Sequence, residues 1–140
     1  VKSFFPKIFL ACAALLAVPL DAAPMDGVVV IANKSVPLES ISAEALKDIF
    51  TGRTMYWPGG QSVVIAVLDS TDAALSEASG MDAGQFRTFW QRLVFSGRGQ
   101  QPRKAKDAAA LVALVASTRG AIALVPADAE LQGVKKLEVK

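Results

Sequence analysis

From residue 27 onward, unbroken β-branched runs alternate with segments whose apolar positions recur at helical spacing. Residues 27–32 (GVVVIA), 62–68 (SVVIAVL) and 121–125 (AIALV) show no polar alternation, as expected of strands buried on both faces of a sheet. The run from Val134 to Val139 (VKKLEV) is more polar and suits an edge strand, where lysines discourage pairing with another chain. Between the strands, Ser42 can cap a helix over 43–50, and Gly52 stands just past its end. A short helix is predicted over 72–79, stopped by Gly80. Asp82 can cap 83–95, where Phe86, Phe89, Trp90, Leu93 and Val94 fall on one stripe. Asp107 can cap 108–117, apolar nearly all round and so expected to be buried, with Gly120 ending it.

Strands alternating with helices at this spacing predict an α/β domain in three layers, a mostly parallel sheet flanked by helices. One local echo joins two helix ends. Asp48-Ile49-Phe50-Thr51-Gly52-Arg53 and Leu93-Val94-Phe95-Ser96-Gly97-Arg98 each offer an aromatic for the core side and a glycine for a left-handed turn.

The first residues read differently. Lys2 and Lys7 precede an uncharged run from Ile8 to Leu20, and Asp21-Ala22-Ala23-Pro24 follows with small residues. That pattern predicts a signal peptide over 1–22 and a single domain over 23–140, with Val1 as an alternative start. The run is too short for a bilayer core of ~30 Å, which needs about 20 residues. Cys12, the only cysteine, lies inside this leader, so the exported domain would have no disulfide and must rely on its core.

Composition narrows the chemistry. With 52% apolar and 20% charged residues the chain is not a disordered one. Its net charge of +2 is too balanced to make nucleic acid the main partner. It has no histidine, which removes Ser-His-Asp and Cys-His catalysis and imidazole metal sites. No Walker loop, nucleophile elbow or metal-ligand cluster is present, and the neighbouring carboxylates Asp69 with Asp72, or Glu39 with Glu44, sit in no recognisable pattern. The expectation is a protein that binds without a cofactor and is not an enzyme.

The segment Leu46-Lys47-Asp48-Ile49-Phe50-Thr51-Gly52-Arg53, with Trp57-Pro58-Gly59-Gly60 after it, resembles the L-x-x-I-F-x-G-x-x-x-x-W segment of phosphate-type periplasmic substrate-binding proteins of ABC transporters. The order of later features agrees: the strand before Ser70-Thr71, then Phe95-Ser96-Gly97, then Val115-Ala116-Ser117-Thr118-Arg119-Gly120-Ala121-Ile122, similar to the family's V-x-x-x-x-G-A-I-G-Y-V ending. The resemblance covers about one lobe of a two-lobed member. It implies a periplasmic protein with one lobe of a periplasmic-binding-protein-like fold, an association with phosphate uptake, and at most a weak oxyanion site. Ala123-Leu124 replaces the family's Gly-Tyr, and Leu68-Asp69-Ser70-Thr71-Asp72 lacks the usual arginine and glycine.

Four segments are candidates for binding. Ser70 and Thr71 follow a buried strand and open a helix, so backbone N–H groups and hydroxyls can face an anion, although the same residues are ordinary helix caps. Asn33, Lys34 and Ser35 follow the first strand and would share that sheet edge if the strands are parallel; as a plain polar turn they need no ligand. Arg98, Arg103, Lys104 and Lys106 form a basic loop that can meet an acidic partner, phosphate or lipid headgroups, or simply be solvated. Tyr56 and Trp57 can anchor a partner or fold over the core. The alternative to solute binding is therefore a ligand-free interaction module serving a membrane transporter, sensor or envelope assembly. Two copies pairing to rebuild a cleft is a further possibility.

Overall fold

A computed structural model describes residues 27–68 and 72–140. The leader expected over 1–22 and the turn holding Ser70 and Thr71 lie outside these residues. Among those described, the strands are β1 (Val28–Asn33), β2 (Ser40–Ile41), β3 (Val64–Leu68), β4 (Arg103–Ala105), β5 (Ala121–Pro126) and β6 (Val134–Val139). The helices are α1 (Ala43–Phe50), α2 (Asp72–Ser79), α3 (Ala83–Phe95) and α4 (Ala108–Ser117). All four helices match the ranges the sequence predicts, and the caps of α1, α3 and α4 are local. Ser42, Asp82 and Asp107 each accept a hydrogen bond from the backbone N–H three residues on, at 3.0, 2.8 and 2.7 Å.

The sheet order is β2-β6-β1-β5-β3-β4. β2 is parallel to β6, and β5, β3 and β4 are mutually parallel in sequence across the sheet, while β1 is antiparallel to both β6 and β5. Five strands therefore run one way and β1 alone runs against them, so the mostly parallel expectation holds with one exception. β6 is not a free edge strand, since Ser40 and Ile41 pair with Glu138 and Val139. The outer strands are the two-residue β2 and the basic β4.

Alternating side chains divide the core between the two faces. Ile122 and Leu124 of β5, with Val30 and Val67, pack under α1, α2 and α3. Ala121, Ala123 and Val125, with Ile31 and Ala66, pack under α4. Alanines on that second face let α4 lie close, and Leu111, Val112 and Val115 fill the contact. Burial of α4 is one-sided: Ala109 and Ala113 are exposed, so its all-round apolar character reflects alanines at the surface rather than a fully enclosed helix.

On the other face, α3 lays Phe86 and Trp90 over α1, with Phe86 and Phe50 ring centroids 6.4 Å apart. The Trp90 indole N–H donates to the Phe50 carbonyl at 3.1 Å, closing the end of α1. Of the echoed helix ends, both glycines have φ near +72°. The aromatics part ways: Phe50 is fully buried, whereas Phe95 is 91% exposed and does not reach the core. Nine residues beyond Phe86 on a helix of 100° per residue is a half-turn away from the buried stripe.

Candidate functional site

The Asn33-Lys34-Ser35 turn is a structural joint. The Asn33 amide donates to the carbonyls of Val115 at 2.8 Å and Ala116 at 3.0 Å, satisfying the last turn of α4. Its Oδ1 accepts the Ser35 N–H at 2.9 Å. Ser35 Oγ in turn accepts the Gly120 N–H at 3.1 Å and the Gln61 amide at 3.2 Å. Asn33 and Ser35 therefore spend their polar atoms on the fold, and Lys34 is exposed beside them.

Gly120 is the centre of this joint. Its carbonyl accepts the Trp57 indole N–H at 2.9 Å and the Val64 N–H at 3.0 Å. Its φ is +76°, and a Cβ here would collide with the Ser62 carbonyl oxygen, so only glycine fits. Trp57 is 3% exposed and belongs to the core, which removes it as a surface anchor. Its N–H needs a buried acceptor, and the Gly120 carbonyl is that acceptor.

The reversed direction of β1 corrects a second expectation. Asn33 lies where β5 and β3 begin, while Ser70 and Thr71 follow the end of β3 at Leu68. Asn33 and Leu68, the last residue of β3, thus stand at opposite ends of the sheet. At the carboxyl edge, β3 leads toward α2, and β4 leads through Lys106 to Asp107, the cap of α4. A hollow of about 60 Å³ near the end of β3 is lined by apolar side chains including Leu68, Leu75 and Phe86, with Arg87 and Lys104 also in its walls.

The remaining candidates converge elsewhere. Arg103 and Lys104 are not in a loop: they pair with Ala66 and Val67 as the edge strand β4. Exposed Tyr56 (63%) shares a shallow cleft of about 210 Å³ with Met55, Gly97, Arg98 and Gly99. The fold thereby brings the aromatic and basic segments together at Tyr56 and Arg98. Phe95 was missed as a surface residue; helical pitch measured from Phe86 is the signal that finds it.

Among the described residues, no group of three or more Cys, Asp or Glu could hold a metal ion, and no buried side-chain polar atom lacks a partner. No described helix is long and apolar enough to cross a membrane. The arrangement offers surfaces for binding at the Tyr56–Arg98 cleft and at the end of β3.

No protein-family model and no curated protein sequence matches the chain. Solved structures do. A Clostridium perfringens protein described as a phosphate ABC transporter substrate-binding protein, solved with bound phosphate, aligns over 81% of this chain and 44% of its own, at 19% identity and TM-score 0.63. PstS from Borrelia burgdorferi aligns over 81% and 47%, at 12% identity and TM-score 0.59. An ABC-type phosphate transport receptor from Vibrio cholerae aligns over 81% and 46%, at 14% identity and TM-score 0.55. The chain thus spans less than half the length of these proteins and has the fold of part of them, a lobe of the periplasmic-binding-protein kind.

Proposed function

We propose that this chain is one lobe of a periplasmic solute-binding-like protein with at most a weak site for phosphate or a similar oxyanion, associated with ABC-type uptake. In this reading residues 1–22 are removed on export and 23–140 form the working domain, with no catalytic step. The observation that carries it is the carboxyl edge of the parallel strands β3 and β4, on the same fold as a protein solved with bound phosphate; Ser70 and Thr71 follow β3 in the sequence. Lys104 and Lys106 come from the neighbouring strand and its exit, and they replace Asn33, Lys34 and Ser35 as partners for the anion. Weakness follows from openness. At the edge of this lobe the ion stands in water, where each charge contact is worth far less than in an enclosed cleft, and Asp69 and Asp72 carry like charge next to Ser70 and Thr71 in the sequence.

Calorimetric titration of the full chain with phosphate and with sulfate tests this. A millimolar affinity is expected, lost in the Ser70→Ala/Thr71→Ala double variant and kept in Lys34→Ala. Absence of heat at millimolar anion would remove the site. A second reading, an interaction module without a ligand, is favoured by one specific observation: Tyr56 and Arg98 share an exposed cleft. Because Trp57 is core, its test is capture of an envelope partner, a transporter or sensor, by the wild type and release by Tyr56→Ala.

A further inference from the structure

We propose that the outer face of α3, continued through Arg98 and bordered by Lys104 of β4, seats against an anionic lipid surface. Charge is sharply segregated along the chain. Residues 83–106 contain Arg87, Arg92, Arg98, Arg103, Lys104 and Lys106 and not one Asp or Glu, although the whole chain carries only +2. All six cations are exposed, though Arg103 registers with Ala66 on the α4 side of the sheet and donates to Thr118 Oγ1 at 3.5 Å, apart from the others. Among the described residues none of them is in an ion pair; the pairs that do form use Arg53 with Asp48 and Lys135 with Glu39. Asp82 and Asp107, the acids that bracket the segment, turn their carboxylates onto the helix starts they cap.

An exposed aromatic sits in this field. Helical pitch places Thr88, Gln91 and Phe95 opposite the buried Phe86 and Trp90, with Arg87 and Arg92 on either side of that outer stripe. Phe95, 91% exposed, projects where the helix ends. Just beyond it, Arg98 shares its cleft with exposed Tyr56. A lone exposed apolar residue needs no explanation. A protruding Phe and a Tyr among unpaired cations match what a bilayer interface rewards: cations against phosphates, with aromatic rings at the headgroup boundary. Protein partners more often take an aromatic anchor into a pocket, and the anchor here stands out from a helix end. Open strand β4 points the same way, since its basic side chains disfavour pairing with a second copy. This inference is independent of the oxyanion reading.

Co-sedimentation of the full chain with vesicles decides it, comparing pure phosphatidylcholine with mixtures containing phosphatidylglycerol. At low salt the chain is expected to partition at least about tenfold better onto the anionic vesicles, and to release as salt screens the charges. Each cation removed should cost on the order of fivefold, so Arg92→Gln with Arg98→Gln should lose about 25-fold. Phe95→Ser should weaken binding several-fold while leaving the circular dichroism unchanged. Phe95→Trp should add an emission that shifts to the blue only with anionic vesicles. Equal retention on neutral and anionic vesicles, or none on either, would overturn the proposal. So would heparin or polyglutamate capturing wild type and Phe95→Ser alike while anionic vesicles do not distinguish the two, which would mark a surface for soluble polyanions or acidic proteins.

Discussion

Asn33 shows how far one amide can reach. Its two N–H groups serve carbonyls more than 80 positions away at the end of α4, and its oxygen fixes the turn that presents Ser35 to Gly120. Asn33→Ala should lower stability by about 2 kcal/mol in urea unfolding, because one buried and one half-buried carbonyl lose their donor. The same variant should leave phosphate heats unaltered, since its role is structural. From sequence alone, a polar turn after a strand reads equally well as a ligand site, because its partners are remote. Ser42, Asp82 and Asp107 were legible for the opposite reason: each cap finds its partner three residues away. Trp57 lies between these cases, a core residue whose acceptor, Gly120, only the fold supplies.

At the level of elements, α3 begins with a reciprocal cap. The Gln85 N–H donates to the Asp82 carboxylate at 2.8 Å, and the Asp82 N–H donates to the Gln85 side chain at 3.1 Å. Asp82→Ala should cost about 1 kcal/mol in urea unfolding, with Gln85→Ala adding less than its own separate loss because the two form one unit. Helices were readable to the residue, since start, stripe and stop all lie within them. Strands β2 and β4 escaped notice. Two residues carry no period, and Arg103-Lys104-Ala105 looks like a solvated loop until the neighbouring Ala66, Val67 and Leu68 give it a ladder. Lysine as an edge signal was sound in principle, yet it marked β6 rather than the true margin at β4.

For the molecule as a whole, three layers were legible, but the direction of β1 was not. A run buried on both faces looks the same whichever way it points, so the reversal that separates Asn33 from the carboxyl edge left no local trace. The sheet margins are blunted, one by shortness and the other by charge, which opposes edge-to-edge association. Sedimentation velocity should accordingly show a monomer with or without phosphate. A dimer appearing only with phosphate would mean instead that two copies close around the ion. The reversed strand also sets a timetable. Among the described strands β1 is made first, yet both its neighbours come from far downstream, Ile31 meeting Ala123 on one side and Lys136 on the other. A polypeptide emerging end-first from a ribosome or an export pore can shape its helices early, but it must hold β1 open until β5 and β6 have arrived.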